Sequence, residues 1–279
     1  MTEVSSNVDP IAPDDVAILG IPYDLNSTFL RGSAEAPLRI RETLHSGSAN
    51  LCVESGMDLG REMRWRDAGD LTFPPDESHL KRIEVGVSRL LEKGARVISL
   101  GGDHSVTHPI LQAYSRYYSG LTILHLDAHP DLYDQYEGNR EANACPFARI
   151  MEKGLARRLV QVGIRTMNPH QQQQADRFGV EVLKIEAWRS VLSMDLAGPL
   201  YLSLDIDVLD PAFAPGVSHH EPGGLTTRDV LTIIQNLKDP VVGADIVEFN
   251  PRRDPTGATA MVAAKLTKEV SALLLKNSL

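Results

Sequence analysis

Cysteine is scarce in this 279-residue chain: Cys52 and Cys145 stand far apart and form no C-x-x-C. They are read as free thiols, not as a disulfide framework. Positive charge is also short, with 28 Lys and Arg against 37 Asp and Glu and a formal net charge of −9. A nucleic-acid binder would show a basic face, so no such partner is expected. No uninterrupted apolar run approaches the ~20 residues that span a bilayer, so no membrane partner is expected either. The N-terminal MTEVSSNVDPIAPDD lacks the basic-then-apolar order of a secretory leader, and the expectation is a cytoplasmic protein.

What is present is apolar material, 42% of the residues, enough for one large core. Short β-rich runs punctuate the chain: VAILGI (16–21), RVISLGG (96–102), LTILHLD (121–127), LVQVGI (159–164), VEVLKI (180–185), LYLSLDID (200–207) and VVGADIVEF (241–249). Most are continuously apolar, as strands of a parallel sheet covered on both faces should be. Helical spacing appears between and after them, at Leu80, Ile83, Val87, Leu90 and Leu91, and again at Val262, Leu266, Val270 and Leu273. This alternation predicts an α/β fold, a three-layer sandwich around a mainly parallel central sheet. Residues 1–14 are expected to form a loose arm and residues 15–279 a single domain.

In such sheets ligands bind beyond the carboxyl ends of the strands. Four strands end in chemistry there. RVISLGG runs into Asp103-His104-Ser105, and LTILHLD into Asp127-x-His129-x-Asp131. LYLSLDID ends in Asp205-x-Asp207, and VVGADIVEF carries Glu248. A spacing of two places alternate side chains on one side of a strand. Each motif alone is explained by a helix cap and a turn; their joint appearance is not. Carboxylates buried together without cations are strongly disfavoured. Two divalent ions would balance Asp127, Asp131, Asp205 and Asp207, with His104 and His129 as nitrogen ligands. Such an oxygen-rich set suits Mn²⁺ better than thiolate-rich zinc. Two metals roughly 3.5–4 Å apart can share a water and lower its pKa toward neutrality. His125 falls in the same register but lies deep in its strand, and is read as a supporting residue.

GGDHS (101–105), LDAHPD (126–131), SLDIDVLDPAFAPG (203–216), EPGG (221–224) and GADIVEFNP (243–251) together resemble the ureohydrolases, arginase and agmatinase among them. The likeness runs from about Ala17 to Ala272. NSTFLRG (26–32), EGNR (137–140), FARIME (147–152), RRLVQVGIR (157–165) and MVAAKL (261–266) are most similar to plant-type arginase and its bacterial relatives. The resemblance implies that His104, Asp127, Asp131 and Asp205 hold one manganese, and that Asp127, His129, Asp205 and Asp207 hold the other. It implies attack of hydroxide on a guanidinium carbon, releasing urea and an amine, with Glu248 as the guanidinium acceptor. Asp210 would order the loop that follows it. A homotrimer or homohexamer is the family's usual assembly.

One position departs from the family. Relatives carry Ser-His-Ala where this chain reads Ala142-Asn143-Ala144. The family histidine is credited with moving a proton to the leaving amine. Asn143 cannot titrate, and a positioned proton donor is typically worth 10²–10⁴-fold, so hydrolysis is expected to be measurable but reduced. Water, His219 or His220 would then move the proton, although packing in the VSHHEPGG loop is the plainer role for both histidines. The loop DLYDQYEGNREAN (131–143) is expected to lie over the substrate tail, and the candidates to meet that tail are Asn139, Arg140 and His219. Arg140 would favour the carboxylate of arginine or 4-guanidinobutyrate, whereas Asp134, Glu137 and Glu141 would favour the ammonium of agmatine. Arginine is slightly preferred. A single-zinc amidohydrolase of the histone-deacetylase type and a non-catalytic subunit are the alternatives.

Overall fold

A computed structural model describes residues 11–276. Eight strands form one sheet: β1 (Val16–Gly20), β2 (Trp65–Asp70), β3 (Arg96–Leu100), β4 (Thr122–Leu126), β5 (Arg158–Ile164), β6 (Glu181–Lys184), β7 (Leu200–Asp205) and β8 (Val241–Val247). Their order is β2-β1-β3-β8-β7-β4-β5-β6, and every neighbouring pair is parallel. The sheet is therefore parallel throughout. Seven strands coincide with apolar runs. The eighth, β2, has the sequence WRDAGD and buries only Ala68 fully; as an edge strand it needs little apolar surface and leaves little trace in the sequence.

Among the described residues seven α-helices cover the sheet: α1 (Ala36–Leu44), α2 (His79–Glu92), α3 (Thr107–Tyr114), α4 (Pro146–Glu152), α5 (Pro169–Phe178), α6 (Thr227–Asn236) and α7 (Ala258–Lys276). Successive strand residues point to opposite faces. Val16 and Ile18 thus join one core with Ile40 of α1, Ile233 of α6 and Leu266 of α7. Ala17 and Leu19 join the other with Val87 of α2, Ile110 of α3 and Phe147 of α4. Each fully buried aliphatic side chain contributes roughly 1.5–3 kcal/mol before the entropy of ordering is set against it. The result is the expected three-layer sandwich. No helix among the described residues is long and apolar enough to cross a membrane.

Residues 1–10 of the expected N-terminal arm lie outside the described residues. The arm's last residues are fastened down: Ile11 is buried, and the Asp14 amide donates to the Gly94 carbonyl at 3.1 Å.

Candidate functional site

Because all eight strands run the same way, their carboxyl ends share one edge. The four that end in chemistry, β3, β8, β7 and β4, are consecutive neighbours at the centre of the sheet. After β3 the chain turns through Gly101-Gly102. A Cβ on Gly102 would lie 1.8 Å from the Tyr23 carbonyl oxygen, so only glycine admits this approach. The turn delivers Asp103 and His104. The Asp103 carboxylate accepts from the Asn26 amide at 3.1 Å and the Ser27 hydroxyl at 3.2 Å, tying the loop after β1 to the sheet edge.

Around His104 the ligand-type atoms converge. Its Nδ1 lies 3.2 Å from Asp127 Oδ2, 3.1 Å from Asp131 Oδ2 and 3.1 Å from Asp205 Oδ2. A second group forms where His129 Nδ1 lies 2.9 Å from Asp207 Oδ2 and 3.4 Å from Asp127 Oδ1. Asp127 stands between the two. All four carboxylates and His104 are buried. Asp131 (φ 49°) and Glu248 (φ 64°) both adopt left-handed backbone conformations, costly for residues with a Cβ and often found at functional sites.

Hydrogen bonding places a proton on His104 Nε2. Ser203 Oγ donates its only proton to Asp245 Oδ1 at 2.7 Å. It must therefore accept from His104 Nε2–H, which lies 3.0 Å away. Tyr201 and Thr107 donate to the other oxygen of Asp245 at 2.9 and 3.0 Å, holding that carboxylate in place. His104 Nδ1 is left buried with no aligned hydrogen-bond partner, facing three carboxylate oxygens. Only positive charge relieves that arrangement, so the residues fit a cation.

The titration tendencies of the bare side chains agree. Burial, reinforced by Asp207 and Asp127, holds the Asp205 carboxyl well above the usual range. Burial and the neighbouring Asp127 push Asp131 up to about 6. Burial disfavours a charged imidazole at His129, yet the carboxylates of Asp207 and Asp127 outweigh it and raise that ring well above its ordinary value. Lacking cations, the cluster collects protons.

His125 also lies within ligand distance of His104 and Asp127. Both of its nitrogens are engaged: Nε2 is 2.7 Å from Asp127 Oδ2, and Nδ1 accepts from Gln161 Nε2 at 3.0 Å. Burial pushes its pKa down to about 4, so it is neutral and serves to orient Asp127.

Glu248 lies at the same edge. Its Oε1 accepts from the His104 amide at 2.9 Å and from Asn143 Nδ2 at 2.8 Å. Burial, with Asp103 nearby, pushes its carboxyl up to about 8. Asn143 is held at both ends of its amide, since its Oδ1 accepts from the Thr28 amide at 3.0 Å. A cavity of about 210 Å³ opens over this edge and is lined by His129, Asp131, Asn143, Asp205, Asp207 and Glu248 at its inner end. Thr28, Tyr133, Tyr136, Asn168 and Gln171 line it as well.

The residues expected to meet the substrate tail divide. His219 lines the cavity, its ring 5.9 Å from that of His129, whereas His220 is turned to the Pro215 carbonyl at 2.7 Å. Arg140 does not line the cavity: its exposed guanidinium pairs with Asp134 at 3.0 Å and Glu152 at 2.8 Å. Asn139 is also outside it, in a neighbouring recess, with Nδ2 3.4 Å from Asn26 Oδ1. Asp210 gathers the amides of Ala212, Gly223 and Gly224, closing the loop it begins. Sequence reasoning missed Asp245, although a carboxylate inside an apolar run was a signal. The loop 131–143 does reach the cavity, through Tyr133 and Tyr136, neither of which the sequence singles out; Asn168 and Gln171 lie outside that loop and carry no signal.

A profile of the arginase family matches residues 14–272. Arginase 1, mitochondrial, of Arabidopsis thaliana is 47% identical over 95% of this chain and 82% of its own. An agmatinase of Bacillus anthracis is 34% identical over 92% of this chain and 90% of its own. The solved arginase from Medicago truncatula superposes with a TM-score of 0.87 at 42% identity, covering 94% of this chain and 87% of that one. With its parallel sheet, its row of charged strand ends and these relatives, the chain belongs to the arginase family and is a hydrolase of amidine C–N bonds.

Proposed function

We propose that the protein hydrolyses a guanidino compound to urea and an amine, with arginine the favoured substrate and two Mn²⁺ ions as cofactor. The observation that carries this reading is His104 Nδ1, buried without an aligned hydrogen-bond partner and facing three carboxylate oxygens. His104, Asp127, Asp131 and Asp205 would hold one ion, and Asp127, His129, Asp205 and Asp207 the other. When bound, the pair would neutralise the four carboxylates and supply a water of lowered pKa for attack.

The remaining work falls to the chain's own groups. With Oε1 of Glu248 occupied by two donors, Oε2 is the oxygen offered to a guanidinium N–H. Asn143 holds Glu248 and the Thr28 loop together, and has no proton to give the leaving amine. His219 is the cavity imidazole outside the proposed ligand set, and proton delivery is assigned to it. The 47% identity to a plant arginase supports arginine; the agmatinase relative keeps agmatine as the second reading. A homotrimer or homohexamer in the cytoplasm belongs to the same proposal, and light scattering of the purified protein tests the assembly.

The decisive test is metal analysis with urea release. The expected result is two manganese ions per chain and urea from arginine. One ion or none per chain, or no urea from arginine, agmatine or 4-guanidinobutyrate, would overturn the reading.

A further inference from the structure

The far wall of the cavity has a polarity that backbone contacts dictate. Asn168 begins α5, and its Oδ1 accepts from the Gln171 amide at 2.9 Å. That fixes which end of the side-chain amide is which. Its Nδ2, a donor only, lies 2.6 Å from the Tyr133 hydroxyl. Tyr133 oxygen is therefore an acceptor there, and its own O–H proton has no acceptor among the described residues.

Gln171 follows the same logic. Its Oε1 accepts from the Asn168 amide, closing the capping box, so its Nε2 is the free end. Gln171 is 5% exposed, lines the cavity, and its Nε2 has no partner among the described residues. Tyr133 is braced by His170 stacked at 5.7 Å and by the edge of Tyr136 at 5.6 Å.

Two unspent donors thus share a wall that no Lys or Arg lines. The lining carboxylates are Asp131, Asp205, Asp207 and Glu248, all at the inner end. Two acidic groups stand nearby without lining the cavity. Glu221 faces His129 Nε2 at 3.8 Å, and Glu137 lies in the adjoining recess.

We propose that Tyr133 and Gln171 read the substrate tail as a carboxylate, and that no side chain reads an α-ammonium by charge. The substrate class is then the ω-guanidino acids, with or without an α-amino group. This rests on the reading of the inner end as a guanidine hydrolase. A donor wall rewards an acceptor tail and leaves an ammonium unpaired.

The test compares arginine, 4-guanidinobutyrate and agmatine on the manganese-loaded full chain, by urea release and by calorimetric binding. The two acids are expected within ~10-fold of each other in kcat/KM, and both at least ~10-fold above agmatine, about the worth of one charge-assisted hydrogen bond. Tyr133→Phe is expected to raise KM for the acids more than for agmatine, with kcat less affected. Gln171→Glu keeps the capping oxygen but replaces the donor by an anion, and is expected to shift the preference toward agmatine. The proposal is overturned by an agmatine preference in the parent protein, by a 4-guanidinobutyrate rate far below that of arginine, or by variants that leave the acid-to-agmatine ratio unchanged. If no compound releases urea, the guanidine-hydrolase reading fails. Binding then decides the tail alone: tighter acids support the donor wall, and tighter agmatine or no binding overturns it.

Discussion

At the inner end of the cavity, carboxylates and imidazoles stand on the ends of β3, β8, β7 and β4; at the outer end, hydroxyls and amides stand on the loop after β4 and the first turn of α5. The inner groups are titratable, mostly buried and braced from behind, as Ser203, Asp245 and Gln161 brace the histidines. The outer groups are neutral and partly open. Bond cleavage needs groups held rigidly at fixed distances, which neighbouring strands provide. Choice among tails needs only a few donors, and a loop with a helix start provides those.

Substitutions at the two ends should differ in kind, and the largest effect belongs inside. Asp205→Asn removes a carboxylate common to both proposed ions. Urea release should fall at least ~10³-fold, beyond the ~10–100-fold loss typical of an outer hydrogen-bonding partner, and metal content should fall with it. Retention of both ions and most activity would put the inner end in the wrong place. Asn143→His comes next and acts in the other direction. Turnover should rise by ~10²-fold, the lower range for a positioned proton donor, and the pH–rate profile should gain a limb near the ordinary histidine value of ~6.5. An unchanged rate would mean that proton delivery does not limit this enzyme.

Asp245→Asn probes the bracing behind His104. It should weaken manganese binding ~10–100-fold while the sheet stays intact by circular dichroism. A subtler test removes the metal. The carboxyls of Asp131, at about 6, and Glu248, at about 8, and the imidazoles of His104 and His129 all have raised values in the fold. The native protein then holds more protons than the unfolded chain, so its stability is lost as pH rises. His125, at about 4, and His79 and His219, which burial holds below the ordinary histidine value, oppose this below that range. Asp103, at about 6, and Asp205, Asp207 and Asp245 are raised as well, so the raised groups prevail. Metal-free protein should therefore lose melting temperature between pH 5 and 8 (roughly the span from unfolded carboxylate to folded Glu248 values), and manganese should flatten the slope. A flat metal-free profile would deny the crowding of charge. Smallest of all, Arg140→Ala should leave KM for arginine unchanged, since that guanidinium is committed to Asp134 and Glu152 outside the cavity.

The same contrast governs what could be read from sequence. Inner residues announce themselves because a charge at the end of an apolar run is conspicuous, and a parallel sheet brings such ends to one edge. Asp127, Asp205 and Glu248 were legible for that reason. β2 was not, because an edge strand with the sequence WRDAGD has no need of apolar alternation. In the loop after β4, Arg140 drew attention by its charge, yet the charge is satisfied by acids on the surface. Tyr133 and Gln171 look ordinary in sequence; their donor role comes from which backbone amides Asn168 and Gln171 serve, and that exists only once α5 has formed.

The reciprocal cap at Asn168 and Gln171 therefore does more than start a helix. It sets the orientation of two side-chain amides, and with them the sign of charge the cavity wall prefers. A lineage drifting toward cationic tails could not simply exchange one contact; it would have to rebuild the way α5 begins, so taste in substrates here is inherited together with a piece of secondary structure.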